Sequence, residues 1–99
     1  GPAKVLAPII DKRPIERVYR PHPKHGSKPV TDGRGRPVSR APRGDCQAML
    51  DCSFQRKPTS PHREGVEPET NATVIFHRNG VVYLPDKIVE TYHGYVPLG

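Results

Sequence analysis

The chain has 99 residues, enough for one small domain built around a single hydrophobic core. Hydrophobic residues make up 33% of it, and no apolar run approaches the roughly eighteen residues that a membrane helix needs. We also expect no secretory signal region, because prolines and Asp11 interrupt the N-terminal apolar stretch. Thirteen prolines and nine glycines argue against a helical bundle, since proline removes a backbone donor and clashes inside helices.

The net charge is +6, from 16 lysines and arginines against 10 aspartates and glutamates. Residues 1–63 carry fourteen basic and five acidic side chains, whereas residues 64–99 carry two and five. A cationic segment of this kind favours polyanionic partners, because binding releases counterions and the field steers the partner towards the protein. A basic, disordered arm joined to a neutral domain would have the same composition, so charge alone leaves both interpretations open.

Prolines and glycines predict two loops in the chain. Residues 1–20 are interpreted as an apolar lead in which Asp11 can cap one helical turn. Residues 20–44 contain nine prolines and glycines and are predicted to form a loop. A second, rigid loop is predicted over residues 58–63, because each proline biases the preceding residue towards extended geometry. We assign residues 21–99 to one domain.

A short helix is predicted over residues 45–54. Asp45 is a suitable N-cap, and Cys46, Met49 and Leu50 fall on one helical face. The chain's two cysteines are too few for a disulfide framework. They can pair with each other, but we expect two thiols.

The C-terminal third carries the clearest strand signals. Residues 73–77 and 81–84 are β-rich and flank Asn79–Gly80, a dipeptide typical of type I′ hairpin turns. Residues 87–96 predict a further strand, with a bulge at Gly94. Together these elements predict an α+β fold, in which a small antiparallel sheet of three or more strands packs on one short helix.

Five histidines are a high count for a chain of this length. Histidine can both take and donate a proton near neutral pH. His22 and His25 have H-x-x-H spacing, which makes a metal site the alternative, but Pro21 and Pro23 prevent a helix from aligning them and zinc-finger spacing is missing. We therefore expect acid–base chemistry with no metal or other cofactor.

These residue types are consistent with RNA cleavage without a metal. The ribose 2′-OH attacks its own phosphorus, so the protein must supply a base, an acid and donors for the phosphoryl oxygens. His25 and His93 fit the acid and base roles. The donors are basic and hydroxyl side chains of the second proline-rich loop and its surroundings: Arg56, Lys57 and Arg63, with Ser60 or Thr59.

Several short blocks, in order along the chain, resemble one protein family. The blocks are residues 23–26, 38–42, 47–51, 56–61 with Arg63, and 92–96. They are similar to a C-terminal toxin domain of bacterial polymorphic toxins, including Rhs-type and contact-dependent inhibition proteins. The resemblance implies a compact ribonuclease of the barnase–colicin–RelE type. Its blocks point, position by position, to His25, Gln47, Asp51, Lys57, Ser60, Arg63 and His93. In one departure, residues 86–90 intervene before the last block.

From the residues and the resemblance together, we predict a catalytic set and a substrate-binding set. The catalytic set is His25, Lys57, Ser60, Arg63 and His93. The substrate-binding set is Arg36, Arg40, Arg43, Gln47, Arg56 and Thr59. Asp51 and Gln47 lie on the predicted helix, where a structural hydrogen bond is an equal alternative to a role in catalysis.

The resemblance further implies a toxin that is secreted or injected by its producer and acts in the cytoplasm of a competitor. Its expected substrate is RNA, with tRNA foremost, and its expected partner is an acidic cognate immunity protein. Two alternatives remain open at this point. One is a non-catalytic RNA-binding domain, although six aromatic residues offer few platforms for base stacking. The other is a toxin that acts on NAD.

Overall fold

The computed structural model describes residues 11–21 and 30–98. Within these ranges the chain forms seven strands and one helix. In chain order they are β1 (Ile15–Tyr19), β2 (Val30–Thr31), β3 (Pro37–Arg40), α1 (Cys46–Asp51), β4 (Phe54–Gln55), β5 (His62–Val66), β6 (Thr73–Tyr83) and β7 (Ile88–Pro97).

The described strands form one sheet in the order β2–β3–β7–β6–β5–β4, and β1 joins it at β7. Because β6 occupies one side of β7, β1 and β3 share the other side. β1 runs parallel to β7 from Ile88 to Tyr92, and β3 runs antiparallel to its end at Val96 and Pro97. The remaining pairings are antiparallel.

The fold is mainly β, so the predicted α+β class with a barnase–colicin–RelE-like architecture is wrong. Among the described residues, 49% lie in strands and 8% in the helix. β1 and β3 gain their hydrogen bonds from β7, far away in the sequence, and local patterns do not report such pairing. Residues 15–19 therefore form a strand where a helical turn was expected, and β2 and β3 lie within the predicted first loop.

The predicted helix is confirmed and is shorter than expected. The Asp45 carboxylate accepts a hydrogen bond from the Ala48 N–H at 3.0 Å, which caps the first turn. Met49 and Leu50 are buried against the sheet, as the apolar spacing indicates. Within residues 11–21 and 30–98, no helix is long and apolar enough to cross a bilayer. Cys46 and Cys52 are both free thiols.

The predicted hairpin turn at Asn79–Gly80 is wrong. β6 continues through it as one eleven-residue strand, with its register shifted between Arg78 and Gly80. β7 is long enough to pair with both halves of β6, so the extra residue is absorbed as a bulge. The chain reverses later, where the Leu84 N–H donates to the Lys87 carbonyl at 2.8 Å. The predicted last strand is confirmed as β7, but the bulge lies in β6 and not at Gly94.

One face of the sheet, here called the helix-side face, packs on α1 and forms the core. Alternate residues of β7 from Ile88 to Val96 are buried on it. The core cluster consists of Met49, Leu50, Val74, Phe76, Tyr92 and Val96. Phe76 is fully buried, and Tyr19 of β1 meets its ring edge-on at 6.1 Å between centroids. The opposite side of the sheet is called the outer face.

Candidate functional site

The helix-side face also carries a small polar cavity, here called the Glu90 cavity. Its volume is about 100 Å³. That is room for about three water molecules, well below the roughly 300–1,000 Å³ of small-molecule pockets. The polar side chains that line it include Arg17, Ser60, Arg63, Arg78, Glu90 and Tyr92. The strand register brings several of them together, since β1 places Arg17 opposite Glu90 and β6 places Arg78 opposite Tyr92.

Glu90 is the buried carboxylate of this cavity, with only 8% of the residue exposed. Tyr92 donates its hydroxyl to Glu90 Oε1 at 2.8 Å, and Arg78 Nη1 donates to Oε2 at 3.1 Å. Arg17 Nε lies 3.6 Å from Oε1. Burial and the hydrogen bond to Glu90 raise the pKa of Tyr92, so its hydroxyl stays protonated and acts as a donor.

Three guanidinium groups, from Arg17, Arg63 and Arg78, line the cavity together with this one carboxylate. Burial and the neighbouring charge of Arg17 lower the pKa of Arg63, which reflects the crowding of cations in the cavity. Arg17 Nε is buried and has no hydrogen-bond partner among the described residues. Buried donors are nearly always paired in folded proteins. The cavity therefore has both the charge and the spare donor to bind a small anionic group.

Arg63 is held rigidly at the wall of the cavity. Its Nε donates to Ser53 Oγ at 2.8 Å, and its Nη2 donates to the Ser53 carbonyl at 2.6 Å. Ser53 is itself buried and donates its hydroxyl to the Leu50 carbonyl at 2.5 Å. This chain of hydrogen bonds ties the guanidinium to the C-terminal end of α1. The Arg63 side chain therefore loses little conformational freedom when a ligand binds.

The loop between β4 and β5 contributes the other predicted site residues of this region. Ser60 lines the Glu90 cavity, and Arg56 and Lys57 line a second pocket beside it. Thr59 is exposed on the same loop. The structure thus brings the predicted residues Ser60 and Arg63 to one cavity and places Arg56 and Lys57 next to it.

The structure does not bring His93 to the Glu90 cavity. Arg63 pairs with Phe76, and Phe76 pairs with Gly94, so these three residues point to the helix-side face. Neighbouring residues of a strand point to opposite faces, which places His93 on the outer face. His25 lies outside the described residues. The catalytic roles assigned to the two histidines from the sequence stay predictions.

On the outer face, three histidines form a row across β5, β6 and β7. His62 stacks on His77 with 3.9 Å between ring centroids, and His77 lies 5.5 Å from His93. Tyr95 lies 5.3 Å from His77, and Asn79 Oδ1 is hydrogen-bonded to His93 Nδ1. The row follows from the strand register, in which His77 faces His62 on one side and His93 on the other.

Three arginines predicted to bind RNA lie away from the Glu90 cavity. Arg40 makes two hydrogen bonds, at 2.6 and 2.9 Å, to the fully buried carboxylate of Glu67. The backbone N–H of Arg43 donates to the same carboxylate at 2.7 Å. These contacts hold β3 and the following loop against the rest of the molecule. Arg36 is exposed in the turn between β2 and β3.

Gln47, also predicted to bind RNA, connects α1 to the edge of β1. Its side-chain oxygen accepts from the Tyr19 N–H, and its Nε2 donates to the Arg17 carbonyl, each at 2.8 Å. The same amide nitrogen donates to Asp51 Oδ1 at 3.0 Å. Gln47 thus positions the strand that carries Arg17, and Asp51 supports Gln47.

Sequence reasoning missed Glu90, Arg17 and Arg78 as members of the site. A signal for Glu90 was present, since it shares the alternation of Ile88, Tyr92 and Val96, which are buried on β7. A carboxylate at a buried strand position indicates paired charge nearby. The two arginines had no comparable signal, because their meeting depends on β1 pairing with β7 across nearly the whole chain.

Within the part of the chain that the structure describes, no group of three or more His, Cys, Asp and Glu side chains could hold a metal ion. No family model, no curated protein and no solved structure matches the chain. The chemistry of the Glu90 cavity therefore has to be judged from its own geometry.

Proposed function

We propose that this protein is a metal-independent endoribonuclease that acts at the Glu90 cavity. The observation that carries the proposal is a buried carboxylate that shares one cavity with three guanidinium groups. The cavity is too small for a nucleotide but large enough for one phosphoryl group. Carboxylate and guanidinium together supply a base and fixed positive charge, two of the three requirements of phosphodiester transesterification; the third is an acid for the leaving oxygen.

In the proposed reaction, Glu90 takes the proton of the ribose 2′-OH. The 2′-oxygen then forms a bond to phosphorus as the bond from phosphorus to the 5′-oxygen breaks, which leaves a 2′,3′-cyclic phosphate and a 5′-hydroxyl. Arg17, Arg63 and Arg78 bind the non-bridging oxygens, where negative charge accumulates. We assign proton donation to the leaving 5′-oxygen to His25, one of the two histidines to which the acid and base roles were assigned from the sequence.

The arginines have a double role in this scheme. In the free protein Arg78 and Arg17 contact the Glu90 carboxylate at 3.1 and 3.6 Å. A phosphate that enters the cavity would bind the same guanidinium groups and take the place of the Glu90 carboxylate as their anionic partner. DNA lacks the 2′-hydroxyl nucleophile, so the scheme requires RNA as the substrate.

The wider role that we propose comes from the resemblance and the charge. The protein would act as a toxin domain of the polymorphic type, released by a producer and active on RNA, foremost tRNA, in the cytoplasm of a competitor. The net charge of +6 suits RNA as a substrate. It also suits an acidic immunity protein, because complementary fields speed the capture of an enzyme that endangers its producer.

The test is cleavage of total RNA by the purified protein in the presence of EDTA. We expect cleavage, with tRNA among the cut species. Glu90→Gln should lower the rate by roughly 10²–10⁴-fold, the usual contribution of a general base. The same variant should still bind 2′-O-methyl RNA, because the three arginines remain. The matched control is Glu69→Gln, which changes an exposed carboxylate outside the cavity and should cleave as the wild type does.

Wild-type cleavage by a folded Glu90→Gln variant would contradict the proposal. Intact RNA together with strong, salt-sensitive binding would instead identify a non-catalytic RNA-binding domain. Intact RNA together with consumption of NAD would identify the third alternative. The 100 Å³ volume of the Glu90 cavity already argues against an entire dinucleotide as its ligand.

A further inference from the structure

A second pocket, here called the Lys57 pocket, lies beside the Glu90 cavity. It has a volume of about 220 Å³ and is lined by Arg56, Lys57, Ser60 and His62. Ser60 also lines the Glu90 cavity, so the two are neighbours that meet at this serine. Each of the four side chains can donate a hydrogen bond, and two are permanent cations at neutral pH.

The loop that forms the Lys57 pocket is fixed by its own hydrogen bonds. Gln55 Nε2 donates to the Pro58 carbonyl at 3.1 Å and to the Ser60 carbonyl at 2.6 Å. The Ser60 N–H donates to the Lys57 carbonyl at 3.0 Å. Pro58 and Pro61 restrict the backbone further. Because the backbone of the loop is already ordered, little backbone entropy would be lost when a ligand binds.

Among the described residues, the two cations of the Lys57 pocket have only one ion-pair partner, Glu64. Lys57 takes part in no ion pair with any of the described residues. Arg56 Nε lies 3.4 Å from Glu64 Oε1, but 58% of the Arg56 side chain is exposed, so solvent weakens this pair. Ser60 Oγ accepts from the His62 N–H at 3.1 Å, which leaves the hydroxyl hydrogen able to point to an outside acceptor.

We propose that the Lys57 pocket binds the phosphate next to the scissile one on the same RNA strand. The inference rests on the proposed function and adds the class of substrate: unpaired RNA with at least two consecutive phosphates. Two adjoining cationic pockets joined at one serine match the repeating phosphates of a strand. The strand must be unpaired, because the 2′-oxygen has to swing into line with the bond that breaks.

The first experiment compares kcat/KM for a dinucleoside monophosphate with kcat/KM for the same dinucleotide carrying one more phosphate at its 5′ or 3′ end. We expect the wild type to prefer one of the extended substrates. Lys57→Ala should reduce that preference by about fivefold to tenfold, as expected for the loss of one charge-assisted contact. Lys12→Ala removes an equal charge at an exposed site and should keep the preference.

The second experiment needs no cleavage. Binding of uncleavable 2′-O-methyl RNA is measured by fluorescence anisotropy at several salt concentrations. The slope of log K against log salt is negative. Lys57→Ala should make it less steep by about 0.7, the value for one phosphate contact on a single strand. Lys57→Arg should restore the slope, and Lys12→Ala should leave it unchanged.

The outcomes separate the two proposals. If the wild type cleaves and Lys57→Ala keeps the full preference, the Lys57 pocket is refuted while the ribonuclease assignment stands. If the wild type cleaves nothing, the ribonuclease assignment fails, and the salt slope alone decides on the pocket. A slope that Lys57→Ala changes no more than Lys12→Ala does would overturn the phosphate site in either case.

Discussion

At the scale of single residues, the burial of Glu90 could be predicted from the sequence, but its role in the candidate site could not. Strand β7 was predicted, and alternation along it puts Glu90 among buried residues. From the sequence, the proton-transfer roles were assigned to histidines, because imidazole chemistry suits them. Residue type alone, however, does not say which face of a sheet a side chain occupies. The phase of the strand does, and it separates His93 from Arg63.

Substitution of the two predicted catalytic histidines tests this reassignment. We expect His25→Ala to slow cleavage by on the order of 100-fold as the loss of the general acid, and His93→Ala to stay within about threefold of the wild type. Initial rates on a defined RNA, with folding checked by circular dichroism, provide the measurement. Equal losses in the two variants would return His93 to the active site and remove Glu90 from the base role.

At the scale of elements, local signals predicted what is held together locally. Asp45 caps α1, and Met49 and Leu50 bury its apolar face, so the helix could be found from six residues. The hairpin turn predicted at Asn79–Gly80 was wrong because bulges and turns use the same residue types. Only the length of the partner strand, β7, distinguishes the two here. β1 could not be predicted, because a short strand on a parallel edge depends on its distant partner.

The centre of the sheet leaves no room beside the Phe76 ring. A Cβ added at Gly94 would lie 3.0 Å from Phe76 Cδ1 and 3.4 Å from Tyr19 Cε2. We therefore expect Gly94→Ala to lower the free energy of unfolding by about 1–3 kcal/mol through overpacking. Urea denaturation measures the change.

Gly80→Ala is the matched control in the neighbouring strand, since its nearest contact would be Thr91 Oγ1 at an ordinary 3.7 Å. The alanine there should be neutral, or stabilise by up to about 1 kcal/mol because it restricts the unfolded chain. If Gly94→Ala were no more destabilising than Gly80→Ala, the close packing of β7 on Phe76 would be refuted.

At the scale of the whole molecule, the fold brings basic and acidic parts of the sequence together at the candidate site. The basic portion of the chain supplies Arg17, Lys57 and Arg63, and the acidic C-terminal portion supplies Glu90. Composition predicted a polyanionic partner, which stays a prediction, and several of the basic side chains lie at the candidate site. Composition could not show that other basic side chains, such as Arg40, are used to hold the fold.

The pairing of Arg40 with Glu67 makes the stability of the whole fold depend on pH. Hydrogen bonds from Arg40 lower the pKa of the buried Glu67 from 4.5 to about 2. Between these values Glu67 binds a proton in the unfolded chain and not in the folded chain. Its contribution to the free energy of unfolding is therefore fully present above pH 4.5 and is lost as the pH drops towards 2. The loss should reach about 3 kcal/mol, measured by urea unfolding across this range.

Two variants assign that pH dependence to its source. Glu67→Gln should be less stable at pH 7, because Arg40 loses its partner, and should show a flatter decline towards pH 2. Glu69→Gln alters an exposed neighbour and should decline as the wild type does. An unchanged slope in Glu67→Gln would show that other carboxylates control acid unfolding.

The parallel pairing of β1 with β7 also governs when the Glu90 cavity can exist. Arg17 lies near the start of the described chain and Glu90 near its end, so the cavity closes only after β7 has left the ribosome. Every earlier nascent chain lacks the carboxylate and has no strand on which β1 can dock. A nascent chain that has not yet released β7 therefore cannot carry the proposed site, whatever ligand surrounds it.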